Sequence, residues 1–407
     1  MTHSDPDLSR PAQLLQSLIR CPSVTPDEGG ALTYLQEVLE PLGFTVQRKV
    51  FSKPGTPDVE NLYARLGTQS PNFCFAGHTD VVPVGDRDSW SRDPFEGHID
   101  NGFMIGRGAV DMKGGIACFV AAVESFLSED DKFNGSISLL ITGDEEGPAV
   151  NGTTAILDWL VEQGETIDAC IVGEPTNPDQ LGDAIKIGRR GSVSATISVK
   201  GVQGHAAYPH LADNPVRSIV QLTQALLAAP FDQGTKDFQA TNLEVTSIDV
   251  GNPAFNVIPE MAAARFNVRF NDTWTADSIK QEIERRLDEA ATDTSLRPVR
   301  EGAEGARINY SIEYAERPSH VFLTKDEPLI QALSSAVEDA TNRRPDLSTG
   351  GGTSDARFIK DVCPVVEFGL VGQTMHQIDE RVALADLETL ASIYLTFLRN
   401  YFPGSGR

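Results

Sequence analysis

Histidine and carboxylate residues stand at the places in the sequence where apolar runs or glycine turns end. Imidazole and carboxylate groups form a ligand set that suits Zn²⁺ or a similar divalent ion, and one carboxylate can bridge two such ions. The candidates are His78, Asp80, Asp111, Glu145, Glu146, Glu174 and His376. Because these groups are numerous enough to hold two ions, the sequence predicts a metal-dependent hydrolase.

The spacing of these residues favours a shared site, although each has an ordinary structural explanation when taken singly. His78 and Asp80, two residues apart on an extended segment, direct their side chains to the same side. Glu145 and Glu146 are adjacent after an apolar run, so that one can bind metal while the other moves protons. Asp111 alone is equally well explained as the N-cap of a helix. The joint occurrence of these residues favours a catalytic site.

The elements that must position these side chains alternate between strands and helices in the first part of the chain. Short apolar runs at residues 73–76, 137–141 and 169–172 predict buried strands, and apolar residues at helical spacing over 116–127 predict a helix. Reactive groups in open α/β sheets collect beyond the carboxyl ends of the strands. The sequence therefore predicts an α/β layer with its reactive residues at one edge.

The pattern changes after Gly191 to a strict alternation of apolar and polar residues. The predicted elements are a strand at 192–200, a helix at 214–229, strands at 241–250 and 262–271, a helix at 275–291 and a strand at 307–315. That order is the split βαβ, or ferredoxin-like, unit. Because polar residues beyond position 317 complete the first constellation, we predict that residues 191–316 are inserted into a domain formed by 1–190 and 317–407.

The length and the charge balance exclude several classes of function. The 407 residues suffice for two cores. The chain has 34 basic and 58 acidic residues, and its net charge of -24 repels phosphate backbones and anionic membrane surfaces. We therefore expect no nucleic-acid or membrane partner. An anionic substrate would need a local cluster of arginines.

The cysteines and the N-terminal region bear on the cellular compartment. The five cysteines are odd in number and scattered, which is typical of a reducing environment. The first ten residues are polar and lack an apolar signal segment, and no run approaches the roughly 18 apolar residues that span a bilayer. We therefore expect a cytoplasmic protein.

Five sequence motifs together resemble a known family, the dinuclear zinc amidohydrolases of the M20 peptidase group. The motifs are Gly77-His78-Thr79-Asp80-Val81-Val82-Pro83-Val84-Gly85, Gly106-Arg107-Gly108 with Asp111-Met112-Lys113-Gly114, Asp144-Glu145-Glu146-Gly147, Val172-Gly173-Glu174-Pro175 and the late His376. The resemblance implies a zinc-peptidase-like catalytic domain, with a mixed sheet flanked by helices, and an inserted ferredoxin-like α+β dimerisation or lid domain. It also implies a homodimer and two Zn²⁺ per subunit, for which Co²⁺ can substitute.

The same resemblance implies a role for each candidate residue of the metal site. Asp111 bridges the two ions and precedes a cis peptide bond to Met112. The terminal ligands are His78 and Glu174 on one zinc and Glu146 and His376 on the other. Asp80 holds the His78 imidazole in the correct tautomer and raises its basicity. Glu145 is the general base that takes a proton from the activated water and passes it to the leaving amine.

Further motifs resemble the subfamily that hydrolyses N-succinyl-LL-2,6-diaminopimelate to succinate and LL-2,6-diaminopimelate, a lysine and cell-wall precursor. These motifs lie at residues 186–192, 203–210 and 350–357. By this resemblance, His205 reaches across a dimer interface to stabilise the oxyanion of the neighbouring subunit. Where the family commonly has an asparagine near position 372, this chain has Gly372-Gln373.

The substrate that the subfamily implies is a small anionic acyl-amino acid with three carboxylates. A planar guanidinium matches the geometry of a carboxylate, so arginines are the natural clamps. The candidate substrate-binding residues are Arg189, Tyr208, Asn256, Arg269, Gly352, Thr353 and Arg357.

Three alternatives remain open from the sequence. An acetylornithine deacetylase, an aminoacylase or a metallo-carboxypeptidase of the same family would share the ligands and the base. A non-catalytic metal-binding module would keep the fold and lack the chemistry, although the intact Glu145 argues against it. A hydrolase with a cysteine nucleophile is the least favoured, because no cysteine stands in a polar, electropositive setting.

Overall fold

The computed structural model of the chain describes residues 8–129, 133–293 and 307–402. These residues form two compact units. Unit 1 contains the chain up to Ile187, then Leu323–Ser348, and again the chain from Ser354 onward. Unit 2 contains Gly188–Phe322 and Thr349–Thr353. Unit 2 is therefore inserted into unit 1 along the sequence.

The unit boundaries differ from the predicted domain boundaries at three places. Residues 188–190 and 317–322, which the sequence analysis assigned to the first domain, belong to unit 2. Backbone hydrogen bonds of 2.9 and 3.0 Å between Ser192 and Ser319 join the two ends of the insertion. The short segment 349–353 also belongs to unit 2, although it is distant from the insertion in sequence.

The described residues form the following secondary structure. The strands are β1 (Thr45–Phe51), β2 (Val59–Leu66), β3 (Asn72–His78), β4 (His98–Asp100), β5 (Phe103–Ile105), β6 (Ser136–Thr142), β7 (Ala169–Val172), β8 (Ala184–Lys186), β9 (Gly188–Arg189), β10 (Gly191–Lys200), β11 (Gly204–His205), β12 (Asn242–Asp249), β13 (Val257–Ile258), β14 (Met261–Phe270), β15 (Tyr310–Tyr314), β16 (Phe322–Leu323), β17 (Asp346–Ser348), β18 (Val365–Glu367) and β19 (Arg381–Ala383). The α-helices are α1 (Arg10–Ile19), α2 (Ala31–Leu39), α3 (Lys113–Glu129), α4 (Thr153–Glu162), α5 (Pro215–Leu227), α6 (Ala276–Thr292), α7 (Glu327–Thr341), α8 (Ala356–Ile359) and α9 (Leu384–Tyr401).

Unit 1 is built on an eight-stranded mixed sheet with the order β1-β2-β6-β3-β7-β18-β8-β17. The central strands β6, β3 and β7 are parallel neighbours, and every residue of these three strands is buried. A strand that is buried on both faces consists mostly of apolar residues, so β3, β6 and β7 appear in the sequence as continuous apolar runs. The predicted α/β fold with a large mixed sheet flanked by helices is confirmed.

Helix α3 lies in the core of unit 1 beside α1 and α9. The ring of Phe119 stacks on that of Phe75 in β3, with 4.3 Å between the ring centroids. The first turn of α3 approaches the end of β7 so closely that a Cβ atom on Gly115 would lie 2.5 Å from the Gly173 carbonyl oxygen. This close approach brings the start of α3, and therefore Asp111, to the end of the parallel strands. No helix among the described residues is both long and apolar enough to cross a membrane.

Unit 2 contains a four-stranded antiparallel sheet with the order β12-β14-β10-β15, on which α5 and α6 pack. The chain order and the strand pairing are those of a ferredoxin-like unit, as predicted. Alternate residues of the strands point inward, among them Ile197, Phe266 and Val268. Asn214 caps α5 and Thr275 opens α6 with a capping box. These caps explain where the predicted helices begin.

Candidate metal centre

The candidate metal ligands all lie in unit 1, around the carboxyl ends of its central parallel strands. His78 is the last residue of β3, while Glu146 and Glu174 follow β6 and β7 respectively. Asp111 lies just before α3, and His376 lies in the loop between β18 and β19. Parallel strands place their carboxyl ends at one edge of the sheet, which brings residues distant in sequence together.

The Asp111 carboxylate stands between the two histidines. Its Oδ1 lies 3.2 Å from His78 Nε2, and its Oδ2 lies 3.2 Å from His376 Nε2. Each histidine nitrogen also faces a glutamate, because Glu174 Oε1 lies 3.7 Å from His78 Nε2 and Glu146 Oε1 lies 2.8 Å from His376 Nε2. The structure thus groups the five residues in the two pairs that the resemblance implies, with Asp111 shared. Their role as ligands stays a prediction.

The donor set and the charges of this site fit divalent metal. One potential ligand atom each of His78, Asp111 and Glu146 lies within 4.8 Å of the others. Burial opposes charge on His78, but the hydrogen bond with Asp111 and the nearby carboxylates outweigh it and raise its pKa well above the usual value. Hydrogen bonds to Asp111 and Glu146 raise the pKa of His376 to about 10. The clustered carboxylates therefore require positive charge, which divalent cations bound to the same atoms would supply.

Asp80 makes different contacts from those that the sequence analysis predicts. The ring nitrogen Nδ1 of His78 lies 2.9 Å from the Asp80 backbone carbonyl, whereas the Asp80 carboxylate is 3.6 Å away. That carboxylate accepts the backbone N–H groups of Glu145 and Glu146 at 3.3 and 3.0 Å. The carbonyl therefore orients the imidazole, and the side chain fixes the turn that carries the two glutamates. Either acceptor selects the same tautomer of His78.

Glu145 lies beside the paired residues. Potential ligand atoms of His78, Glu145 and Glu174 lie within 4.8 Å of one another. Burial raises the pKa of Glu145 to about 8, and the charges of Asp355 and Glu146 add to this effect against the lowering by His78. Among the described residues, no side chain hydrogen-bonds to its carboxylate. A half-buried carboxylate with a raised pKa next to a candidate metal site has the properties of a general base.

The sequence analysis missed several buried acidic groups around this site. Glu380 is fully buried, and its carboxylate accepts a hydrogen bond from Arg107 and another from the backbone of Asp111. Asp355 is also buried and accepts a hydrogen bond of 2.6 Å from the Thr153 hydroxyl. Arg107, placed in a glycine turn of the family motif, was the signal that could have prompted a search for Glu380. No comparable pattern surrounds Glu380 itself.

His205, predicted to act across a dimer interface, lies in unit 2 close to the substrate-binding candidates Tyr208 and Asn256. His205 in β11 pairs with β13, and the backbone N–H of Ala206 donates to the Asn256 carbonyl. The rings of His205 and Tyr208 are 5.6 Å apart, and both side chains are exposed. Because His205 Nδ1 accepts the backbone N–H of Ala207, its proton resides on Nε2. The exposed Nε2–H is therefore available as a hydrogen-bond donor.

The candidate substrate-binding residues are divided between the two units. Unit 2 holds Arg189, Tyr208, Asn256, Arg269, Gly352 and Thr353, and unit 1 holds Arg357. The Arg189 guanidinium donates to the Gly350 carbonyl at 3.1 Å, which ties segment 349–353 to unit 2. The Arg357 guanidinium lies 4.6 Å from the ring centroid of Phe358. That these residues bind one substrate stays a prediction.

The cysteines have the properties of core residues. All five are free thiols, and Cys74, Cys118, Cys170 and Cys363 are buried. Burial raises the pKa of the thiols of Cys118, Cys170 and Cys363. A cysteine nucleophile needs the opposite shift, toward the thiolate. The geometry therefore argues against the cysteine hydrolase among the alternatives.

A family model described as "Peptidase family M20/M25/M40" matches residues 74–400. The match covers most of the sequence and includes all five candidate ligands. The chain therefore belongs to peptidase family M20/M25/M40 and is a hydrolase of peptide or amide bonds. The predicted membership of the M20 group is confirmed.

Several solved structures of peptidases have the same fold. An M20 family metallo-carboxypeptidase from Sulfolobus solfataricus is 17% identical, with a TM-score of 0.75 over 97% of this chain and 99% of that chain. A tripeptidase from Staphylococcus aureus is 18% identical, with a TM-score of 0.73 over 96% and 97% of the two chains. A dinuclear metal binding peptidase from Bacillus subtilis is 15% identical, with a TM-score of 0.67 over 97% and 98%. At these identities the similarity shows the fold.

Proposed function

We propose that the chain is a succinyl-diaminopimelate desuccinylase with two Zn²⁺ per subunit. It would hydrolyse N-succinyl-LL-2,6-diaminopimelate to succinate and LL-2,6-diaminopimelate, a step in lysine and diaminopimelate biosynthesis. The observation that supports the metal centre is the Asp111 carboxylate, whose two oxygens each face one histidine at 3.2 Å. The observation that supports the substrate is the set of three subfamily motifs at residues 186–192, 203–210 and 350–357.

Five residues would hold the ions in this proposal. Asp111 would bridge them, with His78 and Glu174 on one side and Glu146 and His376 on the other. Zn²⁺, or Co²⁺ in its place, would lower the pKa of a water molecule and polarise the scissile carbonyl when bound. The Asp80 carbonyl keeps His78 Nε2 directed at the site by accepting a hydrogen bond from Nδ1–H.

Glu145 moves the proton in this proposal. The raised pKa of Glu145 makes its carboxylate a stronger base than that of a free glutamate, suited to accept a proton from the attacking water and to donate it to the leaving amine. No other described side chain hydrogen-bonds to this half-buried carboxylate, so it is free to exchange the proton. The Asp80 carboxylate accepts the backbone N–H of Glu145, which holds the backbone of Glu145 in position while its side chain transfers the proton.

The substrate and the second subunit supply the remaining contacts in the proposal. The three substrate carboxylates would bind Arg189, Arg269 and Arg357, because guanidinium groups offset the net negative charge of the protein locally. In a homodimer, the exposed Nε2–H of His205 would donate to the oxyanion of the neighbouring subunit, supported by Tyr208 and Asn256. Gly352 and Thr353 would add polar contacts to the substrate.

A second candidate function is a related deacylase or peptidase of the same family. The observation in its favour is that the similar solved structures include a metallo-carboxypeptidase and a tripeptidase. Such an enzyme would use the same ligands and the same base. The two candidates differ only in the groups that bind the substrate outside the metal centre.

Steady-state kinetics on three substrates test the proposal. The zinc-loaded enzyme is assayed on N-succinyl-LL-2,6-diaminopimelate, N-acetylornithine and a dipeptide, with Glu145→Gln purified in parallel to measure contaminating activity. The proposal expects the highest kcat/KM for the succinyl substrate and no turnover after treatment with a chelator. Preference for either of the other substrates would favour the second candidate. Full activity in the chelated enzyme would contradict both.

A further inference from the structure

Glu380 is a fully buried carboxylate whose two oxygens are both occupied by hydrogen-bond donors. Its Oε2 accepts a hydrogen bond of 2.8 Å from Arg107 Nη1 and one of 2.9 Å from the backbone N–H of Gly108. Its Oε1 accepts the backbone N–H groups of Val110 at 2.8 Å and Asp111 at 3.2 Å. One side chain thus accepts three backbone N–H groups of the turn that ends at Asp111.

The same contacts join that turn to the loop that carries His376. The backbone N–H of Gly106 donates to the Glu380 carbonyl at 2.9 Å, and Arg107 Nη1 donates to the Gln377 carbonyl at 3.1 Å. Arg107 and Glu380 are both buried, so the pair is shielded from water. The two segments are far apart in sequence, yet each carries one residue of the candidate metal centre.

The ring of His376 depends on its backbone for its position. Its side chain is 48% exposed, so packing does not fix the ring as it fixes the buried His78. Its φ angle is +61°, a left-handed conformation that a non-glycine residue keeps only where its surroundings hold it. Hydrogen bonds from Ser91 to the Asp379 carboxylate, at 2.8 and 3.0 Å, secure the next turn of the loop.

We infer that Glu380, held by Arg107, is a positioning residue that sets the spacing of Asp111 and His376 before metal binds. This inference rests on the proposed function, because it assigns those two residues to a metal centre. A buried carboxylate is costly unless its charge is balanced and its lone pairs are used, and both conditions are met here. Residues that orient metal ligands through hydrogen bonds, without contacting the metal, commonly change metal affinity about 10- to 100-fold when they are altered.

The alternative explanation is that Glu380 only stabilises the fold of unit 1. Glu380→Gln separates the two, because the amide keeps the shape of the side chain but replaces one acceptor oxygen with a donor that faces backbone N–H groups. Asp168→Asn, at an exposed carboxylate that also accepts a backbone N–H, is the control in the same unit. The Asp168 carboxylate accepts the backbone N–H of Asn72 at 2.6 Å and the Ser70 hydroxyl at 2.7 Å. It lies at the other end of β3, about 20 Å from His78 along the strand.

The experiment measures metal binding and stability separately in the full-length protein. Zinc affinity is obtained by competition with a chelator, the Co²⁺-loaded protein gives an absorption spectrum, and urea unfolding of the metal-free protein gives the cost to the fold. We expect Glu380→Gln to bind at least one ion about 10- to 100-fold more weakly and to change the Co²⁺ spectrum. We expect Asp168→Asn to keep the affinity and the spectrum of the unmodified protein.

Different results would overturn the inference and the proposed function. If the unmodified protein binds two ions and Glu380→Gln has the same affinity and spectrum, Glu380 serves the fold alone and the inference is wrong. If the unmodified protein binds no metal, the proposed function itself fails.

A measurement without any substitution covers the case in which Glu380→Gln does not fold. Hydrogen exchange of the Gly108 and Val110 amides is followed in the unmodified protein with and without zinc. Because Glu380 bonds these amides directly, we expect both amides to be protected without zinc as well as with it. Protection that appears only with zinc would show that the metal orders the turn, and would contradict the inference.

Discussion

The two units of the molecule differ in the number of charged side chains that their described residues bury. Among the described residues, the buried acidic, basic and histidine side chains of unit 1 are His78, Asp80, Arg107, Asp111, Lys113, Asp144, Glu174, Asp355, Glu367 and Glu380. Unit 2 buries only Arg189 among its described ionisable residues, and its core is apolar. Both units consist of a sheet with helices packed on it, so the difference is not a matter of secondary-structure type.

This difference indicates which unit carries the chemistry. Burial of a charge costs free energy unless a partner balances it, so a fold without a chemical task has no reason to collect so many. Unit 1 concentrates its charges at the carboxyl edge of β6, β3 and β7, where the five candidate ligands meet. Unit 2 has His205, Tyr208 and Asn256 on exposed segments. Unit 2 thus has these candidate residues at its surface, whereas unit 1 surrounds its candidate metal centre with buried charged groups.

Removal of metal has the largest expected effect, and it should destabilise unit 1 but not unit 2. A chelator is expected to abolish turnover and to destabilise unit 1 by about 2.7 kcal/mol for each ion that was present at 100 times its dissociation constant. Hydrogen exchange with and without chelator measures the effect region by region. Protection should fall around β3 and β7 and stay constant in β10 and β14. An equal loss of protection in both units would contradict the assignment of the metal centre to unit 1 alone.

Glu145→Gln should lose turnover about 10²- to 10⁴-fold, because an amide cannot take up the proton. Metal content and the unfolding midpoint are expected to stay unchanged, as measured by elemental analysis and thermal unfolding. Glu162→Gln, on the exposed end of α4, is the matched control and should remain fully active. Loss of an ion from Glu145→Gln would instead identify Glu145 as a ligand.

Ile197→Ala should affect stability and leave the metal site untouched. Ile197 is fully buried in the core of unit 2, and truncation of such a side chain costs about 2–5 kcal/mol. Urea unfolding measures this cost, with Ser194→Ala on the exposed face of the same strand as the control. Zinc content is expected to be that of the unmodified protein. A change in zinc affinity would mean that the two units are energetically coupled.

The smallest expected effect is the pH dependence of Asp232 in unit 2. Burial would raise its pKa, but hydrogen bonds from Thr241, Gly234 and Trp274 outweigh it and lower the pKa to about 2. A lowered pKa means that the carboxylate stabilises the fold above about pH 4, the value for an unfolded chain, and that this contribution is lost as the pH falls toward 2. Asp232→Asn should therefore show a weaker fall in stability than the unmodified protein over this window. Parallel curves from urea unfolding at each pH would contradict the assignment.

The sequence predicted the elements that fold by local pattern. Continuous apolar runs identify β3, β6 and β7, and alternation identifies the strands of unit 2, because burial on two faces or on one face leaves a direct mark on residue types. The five residues at the candidate metal centre were also identified from the sequence. Their pairing came from the family resemblance, since the sequence alone contains no distances.

Features that depend on backbone partners were not predicted. Glu380 was missed because three of its four donors are backbone N–H groups, which every residue has. The contacts of Asp80 differed from expectation for the same reason, since its backbone carbonyl lies against the His78 imidazole and its carboxylate accepts backbone N–H groups. The ends of unit 2 shifted because Ser192 and Ser319 pair across a long insertion.

Anomalous diffraction from crystals of the zinc-loaded protein tests the central claim most directly. Data collected on both sides of the zinc absorption edge would locate each ion without assumptions about the ligands. We predict two peaks in each subunit, about 3.5–4 Å apart, with one oxygen of Asp111 on each and with His78 and His376 on opposite sides. A single peak, or two peaks of which Asp111 contacts only one, would contradict the bridged two-metal centre.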